Sequence, residues 1–393
     1  MSVIRVGFVF SLDKSWLGGV NYYKNLWIAI GQLPESGIRP VVFMGTDTDL
    51  NELQNLEVVR SKIFNRKSIH WFIWMISKRL FQKDLILERL LLKNKIVVLS
   101  HYNLLGKTKN IQTIGWIPDF QHTHMPHLFS KKELERRDKE FNKVCEDCTK
   151  VIVSSHAALA DLIAFSKESG KKAEVLQFAI PLITDKLLAL PSTSELEKKY
   201  KFSGKYFLLP NQFWIHKNHQ VVIEALSRLK SRGISLQVLS TGNTYDPRSP
   251  EYFSSLMQRM SLGGISDNFK VLGIIPMKEL YALMQNAVAV INPSLFEGWS
   301  TTVEEAKSLE KKIVLSDIPV HREQNPEKGE YFPPNDADLL AEKLNAIWSD
   351  KSDTTGTQHK QLNIQGISDR NKGVYAFAKQ YQKIIFNLKG IKA

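Results

Sequence analysis

The stretch from Ala287 to Asp317, AVAVINPSLFEGWSTTVEEAKSLEKKIVLSD, constrains this chain more than any other. It predicts a short apolar strand (Ala287 to Ile291), a loop holding Glu297 and Gly298, a helix start, and a second strand from Ile313 to Ser316. Thr301 and Thr302 are candidate helix caps, each with a glutamate three residues on, Glu304 and Glu305. Strand, loop, helix and strand in that order make one βαβ unit. Its loop lies at the carboxyl end of the first strand, where open α/β sheets bind ligands. Backbone N–H groups at the helix start, together with the macrodipole, suit an anion such as a phosphate.

Glu297 and Glu305, eight residues apart, frame that anion site. Glu297 lies in the loop, and Glu305 lies one turn inside, able to accept two hydrogen bonds from a diol. Read alone, the same pair is also a capping-box acid and a solvated loop charge. The wider segment resembles the signature of retaining family 4 glycosyltransferases, a glutamate, seven residues and a second glutamate in a loop-to-helix turn. The spacing is kept here, with Pro293, Ser294 and Phe296 before it and Gly298 and Ala306 in their places. Where that family carries a second glycine and a proline, this chain has Ser300 and Thr302, a departure that touches loop shape more than charge. The resemblance runs through most of the carboxyl half.

A chain of 393 residues is long for one domain and natural for two. Apolar strands followed by helices recur in both halves: Val3 to Phe10, Pro40 to Met44, Ile96 to Ser100, Gln112 to Pro118, Val151 to Ser154 and Glu174 to Phe178, then Tyr206 onward, Leu236 to Ser240 and Phe269 to Leu272. That alternation implies an α/β GT-B arrangement, two Rossmann-like domains facing across a cleft. The expected limits are 1–185 for an amino-terminal acceptor domain and 201–367 for a nucleotide-sugar domain. Residues 368–393 form a terminal helix that crosses back in similar enzymes. The polar stretch Leu188 to Ser203 serves as connection, and Asp350 to Gln365 as surface loop.

Gly18 and Gly19 open a helix after the first strand, with Val20, Tyr23, Leu26, Trp27 and Ile30 on one face. The resemblance makes this the loop that meets the donor diphosphate. Lys217 sits at the first strand-to-helix turn of the second half. It is either a solvated loop lysine or, as the resemblance implies, the cation that neutralises a leaving diphosphate. The family pairs it with an arginine five or six residues earlier; here Gln212 stands five earlier, so His216 or a helix amino terminus has to share the charge. Gly273, Ile274 and Ile275 fall where the family lines its base pocket with backbone. Asp119 and His122 follow a strand end within PDFQH, a sequence that similar transferases carry, and are the amino-domain candidates for acceptor contact. A polar loop with satisfied histidines reads the same residues equally well.

From Arg60 to Asn110 the chain holds twelve Lys or Arg against Asp84 and Glu88, ten of its thirteen net positive charges. Within this region Lys67 to Leu92 is helical in length, and Trp71 to Ile76 are apolar all the way round. Aromatic residues beside dense positive charge point to a patch that docks on anionic lipid. The alternative is a helix packed on the sheet with its basic ends in solvent. A nucleic-acid groove fits less well, because the aromatics are clustered and not interleaved with the bases. No run approaches the eighteen or so apolar residues of a spanning helix. Asp13 and Lys14 break the amino-terminal apolar run, which reads as a strand and not a signal peptide. Two cysteines, Cys145 and Cys148, argue for a reducing cytosol. With His122, His124 and His127 they raise the question of zinc, but one CxxC with no second pair does not make that site, and no metal is expected.

The resemblance therefore implies a retaining hexosyltransferase that needs no cofactor. Its donor is a UDP- or GDP-linked sugar and its acceptor a hydroxyl of a growing, lipid-linked bacterial surface polysaccharide. The place of action is the cytoplasmic face of the inner membrane. Glu305 holds the ribose diol, Lys217 and the amides near Ser300, Thr301 and Thr302 hold the diphosphate, and Glu297 contacts sugar hydroxyls. Two rivals stay open: another nucleotide-sugar enzyme such as an epimerase, and a non-catalytic basic adaptor.

Overall fold

The computed structural model describes residues 3–11, 17–47, 56–81, 83–102, 105–181, 190–350 and 364–388. The chain divides into two compact units, Met1–Pro181 with Asn371–Ala393, and Leu182–Arg370.

Among the described residues the first unit builds seven parallel strands: β1 (Ile4–Val9), β2 (Ile38–Met44), β3 (Glu57–Arg60), β4 (Val98–Ser100), β5 (Gln112–Ile117), β6 (Lys150–Val153) and β7 (Ala173–Val175). They lie in the order β3-β2-β1-β4-β5-β6-β7, so the direction of winding reverses between β1 and β4. The inner strands are apolar runs because a parallel sheet is covered on both faces; Val6, Phe8, Val41, Phe43 and Leu99 are all buried. Helix α1 (Leu17–Gly31) covers one face with Val20, Leu26, Trp27 and Ile30. The helix Ile364–Phe386 completes the same unit, burying Phe377, Tyr381 and Ile385. Its Gln382 Oε1 accepts from Gly37 N at 3.2 Å, and its Gln380 Nε2 donates to Val175 O at 2.5 Å. Gly37 has no room for a side chain, since a Cβ there would lie 2.5 Å from the Phe386 ring.

The segment Lys67–Leu92, expected to be helical in length, is two helices, α2 (Ile69–Phe81) and α3 (Leu85–Lys93). The break falls at Asp84, whose Oδ1 caps α3 by accepting from Leu87 N at 3.0 Å. The same oxygen accepts from Trp74 Nε1 at 2.7 Å, and Lys78 lies 3.8 Å from Oδ2. Trp74 is the buried residue of α2 and pins the helix by this bond. The other large apolar residues turn outward: Ile69, Phe72, Ile73, Ile76, Leu80 and Phe81 are each more than half exposed. Among the described residues no helix is long and apolar enough to cross a membrane.

The second unit builds six parallel strands among its described residues: β8 (Phe207–Leu209), β9 (Val238–Thr241), β10 (Phe269–Gly273), β11 (Val290–Asn292), β12 (Ile313–Ser316) and β13 (Gly329–Phe332). Their order is β10-β9-β8-β11-β12-β13, so the winding reverses between β8 and β11. The helix His219–Ser231 packs on this sheet through Val222, Ile223, Ala225, Leu226 and Leu229. Gly233, with φ 77°, follows its end. Two features depart from expectation. Edge strands β3 and β13 read EVVR and GEYF, too short and charged to announce themselves. The connection also holds a helix, Thr193–Tyr200, closed by a capping box between Ser192 and Glu195. Residues 351–363 of the expected surface loop lie outside the described residues.

Candidate functional site

Where the winding of the second unit reverses, the turn after β8 and the turn after β11 come together, the position at which open α/β sheets hold ligands. Asn211 follows β8 and Asn292 ends β11; Asn211 Nδ2 donates to Asn292 Oδ1 at 3.0 Å, and Asn292 Nδ2 donates to Ser300 Oγ at 2.7 Å. Ser294 Oγ lies 2.9 Å from Asn292 Oδ1 and 2.7 Å from Glu297 Oε1, with one proton to give between them. Asn211, Asn292, Ser294 and Ser300 are buried, so each polar atom left without a partner here is costly and the network fixes both turns. Onto this frame Lys217 brings its Nζ to 2.6 Å from Glu297 Oε1, a charge-assisted bond between groups 80 residues apart. Further ties hold the turns in register: Leu295 N donates to His216 O at 2.7 Å, and Asn218 Nδ2 donates to Pro293 O at 3.1 Å.

The helix Thr301–Ser308 is capped by Ser300, not by Thr301 or Thr302. Ser300 has extended backbone (φ −86°, ψ 114°) and its Oγ accepts from Val303 N. Thr302 is already helical, and its hydroxyl donates to Asn211 Oδ1 at 3.2 Å. No capping box closes either. The Ser300 N–H goes to Gln324 Oε1 at 3.2 Å, and Glu304 is held by Gln324 Nε2 at 2.9 Å and Lys307 Nζ at 3.0 Å. The Ser300 amide is therefore spent, leaving Thr301 and Thr302 to supply the anion-facing amides expected of this turn. Glu305 is 5% exposed, and burial pushes its carboxyl up to about 8. Tyr281, on the helix Met277–Asn286, has its phenol raised first by burial and then by the charge of Glu305.

The remaining second-unit candidates are spread along the neighbouring turns. Gln212 Oε1 accepts from Asn243 N at 2.8 Å, tying the turn after β8 to the loop after β9. Gly242 follows β9 with φ 130°, and a Cβ there would lie 2.5 Å from Asn211 O, so only glycine lets that loop close on the site. Gly273 has φ 72° and accepts from Gly242 N at 2.8 Å. Ile275 and Gly298 are half-buried, and Ile274 is exposed. His216, one of the two groups expected to share the phosphate charge, is buried beside Lys217. Burial first, then the nearby Lys217 and Arg248 cations, hold its pKa well below the usual histidine range, so the ring is neutral.

In the first unit Gly18 lies exposed and Gly19 buried at the start of α1. Asp119 Oδ1 accepts from Gln121 N at 2.9 Å, forming the turn that follows β5. His122 is buried against Phe120 and Phe141, with Nε2 3.1 Å from Asp138 Oδ1, so its ring braces the helix Lys131–Asp147. His124 Nε2 lies 2.8 Å from Asp161 Oδ1. Cys145 and Cys148 are buried in an apolar cluster, and burial pushes the Cys148 thiol up to about 12. Among the described residues no three His, Cys, Asp or Glu gather as metal ligands. What sequence reasoning missed is the buried polar frame: Asn211, Asn292, Gln324 and His321, whose Nδ1 lies 2.8 Å from Ser316 O. Its one visible signal is an amide at the end of each apolar strand, LLPN and INPS.

Residues 193–364 match the family Glycosyl transferases group 1. Over 141 residues the chain is 29% identical to the O-antigen chain mannosyltransferase RfbU of Salmonella typhimurium, a stretch that spans 36% of this chain and 37% of that relative. Solved structures extend the likeness to nearly the whole length. Sucrose-phosphate synthase from Thermosynechococcus elongatus superposes with a TM-score of 0.70 at 15% identity, covering 98% of this chain and 99% of that one. Anabaena HepE in complex with UDP and glucose gives 0.67 at 14% identity, covering 98% and 100%. At such identities the structural likeness speaks for the fold. The second unit is thus a group 1 glycosyltransferase domain, carried on a chain with the α/β GT-B fold.

Proposed function

We propose that this protein transfers a hexosyl unit, with retention, from a UDP- or GDP-linked sugar to a hydroxyl of a lipid-linked surface polysaccharide. The observation that carries the reading is the Lys217–Glu297 pair at 2.6 Å, set at the winding reversal beside the start of the helix that bears Glu305. In this reading Lys217 and the amides of Thr301 and Thr302 take the charge that develops on the leaving diphosphate, without a metal. Glu305 accepts from the ribose diol. Glu297, once a phosphate competes for Lys217, turns its carboxylate to sugar hydroxyls. Gly273 and Ile275 border the base, and Gly18 and Gly19 serve the diphosphate. The leaving phosphate assists front-face attack by the acceptor hydroxyl, so no covalent nucleophile is assigned. Asp119 is the acceptor-side residue, with His122 positioning its loop through Asp138. The name of the Salmonella relative, an O-antigen mannosyltransferase, favours a hexose and a surface-polysaccharide acceptor.

Calorimetric titration with UDP and with GDP tests the reading. Binding of one nucleotide identifies the donor class; no binding of either at millimolar concentration overturns it.

The same reading places the protein on the cytoplasmic face of a membrane through residues 60–110. The outward apolar row of α2, flanked by Arg66, Lys67, Arg79 and Lys83, suits a surface of anionic lipid. The protein is expected to sediment with vesicles rich in phosphatidylglycerol, weakly with pure phosphatidylcholine, and less at high salt. Replacing Ile73 and Ile76 with glutamate abolishes sedimentation at unchanged thermal stability, because both side chains already face solvent. Equal sedimentation of the double variant would remove the membrane from the proposal.

A further inference from the structure

A nucleoside diphosphate presents two charged phosphate groups, and the site described so far offers one cation, Lys217, already shared with Glu297. Gln212, five residues before it, is a neutral amide turned toward Asn243. His216 is buried and neutral. A second cation nonetheless reaches this turn from another element. Arg248 stands in the loop after β9 and lies with Nη2 3.5 Å from His216 Nδ1, on the residue next to Lys217. Its guanidinium sits 5.4 Å from the centre of the Trp214 ring. Asp246, 2% exposed, holds it on the other side: Asp246 Oδ1 accepts from Arg248 N at 3.0 Å and from Nε at 3.1 Å, and Oδ2 lies 3.2 Å from Nη2. Asp246 takes the Nε–Nη2 edge and fixes the plane of the guanidinium, so a phosphate oxygen meets the remaining N–H groups of a preplaced cation. Its side chain is 17% exposed and that of Lys217 is 16%, so each keeps access to solvent. Gly242 brings the loop in, because any side chain at that position would strike Asn211.

We propose that Arg248 is the second diphosphate-binding cation of this site, filling from the loop after β9 the place that Gln212 leaves neutral. This rests on the nucleotide-sugar reading above. The protein then grips the two phosphates from two different turns, Lys217 after β8 and Arg248 after β9.

The test is titration of the wild type, Arg248→Gln and Lys217→Ala with the nucleoside diphosphate that the wild type binds, and with the monophosphate of the same base. Loss of one charge-assisted hydrogen bond is worth about a factor of ten or more in affinity. The expected result is that Arg248→Gln binds the diphosphate at least about tenfold more weakly and the monophosphate nearly as well as the wild type. Since Arg248→Gln strands the buried Asp246 carboxylate, the double variant Asp246→Asn with Arg248→Gln is measured beside it, and thermal melting confirms that it is folded. Two results overturn the inference: diphosphate affinity unchanged in the folded double variant, or mono- and diphosphate affinities falling together, which makes Arg248 a brace for its loop. A wild type that binds neither UDP nor GDP overturns the donor reading itself, before any variant is compared.

Discussion

Glu305→Gln is expected to melt several degrees higher than the wild type at pH 7 and to bind nucleotide about ten- to a hundredfold more weakly. Both effects come from one buried carboxyl. Its folded value of about 8 lies above its ordinary 4.5, so the fold prefers the protonated form. The associated stability is fully present below pH 4.5 and is lost as pH rises toward 8. At pH 7 the loss reaches about 3 kcal/mol, at 1.36 kcal/mol per unit of pKa shift. The amide cannot ionise, so the variant keeps that energy, and its gain over the wild type should vanish near pH 4. A ribose diol donates two hydrogen bonds to the carboxylate, each worth about 1.5–3 kcal/mol when charged, and glutamine offers one uncharged oxygen in place of two charged ones. Binding to the wild type should therefore release close to one proton at neutral pH, seen by calorimetry in buffers of different ionisation enthalpy. A variant that melts higher yet binds nucleotide as tightly as the wild type would reduce Glu305 to a buried structural acid.

The buried histidines of the second unit are expected to lower its stability as pH falls, against the gain that Glu305 brings as it takes up its proton. His216, His219 and His321 all lie buried in it, and burial holds each below the ordinary histidine value, His219 at about 3. The first unit has His101, also at about 3 through burial. A histidine whose folded value is depressed contributes stability that is present above pH 6.5 and lost as pH falls toward the folded value. At pH 5 the His219 ring costs about 2 kcal/mol, and His216 and His321 act in the same direction. Scanning calorimetry at pH 7.5 and pH 5 checks this, with the second unit's transition identified by its shift on adding nucleotide. His219, stacked at 4.2 Å on Phe213, is the natural residue to replace: between pH 7.5 and pH 5, His219→Phe should lose about 2 kcal/mol less than the wild type. An equal loss in the wild type and in His219→Phe would count against the argument.

The inner strands of both sheets were legible because each is a continuous apolar run, and the βαβ unit after Val290 followed from one loop between two of them. Lys217 and Glu297 were legible as neighbours for the same reason, since each follows a strand at the place where the winding reverses. The helix cap was not. Ser300, Thr301 and Thr302 can all cap in principle, and the choice fell to Asn292 and Gln324, which fix Ser300 from β11 and from the helix Pro319–Gln324. Nor could the sequence show that Asp84 splits Lys67–Leu92, since a single aspartate becomes a cap only when Trp74 folds back onto it. Arg248 was invisible because its approach to the Lys217 turn, at His216, spans 32 residues and depends on a glycine that lets one loop fall onto another.

The first unit is finished by the end of the chain. Phe8 on the first strand lies 6.2 Å from Tyr381, and Gly37 is shaped around Phe386. A ribosome that has completed β7 has made every strand of this sheet, yet the helix that shields Phe8 emerges only after the whole second unit. During synthesis the amino-terminal sheet must wait, with apolar surface uncovered, while its neighbour is made and can fold first. Of the two units, the one translated first is the one whose core closes last.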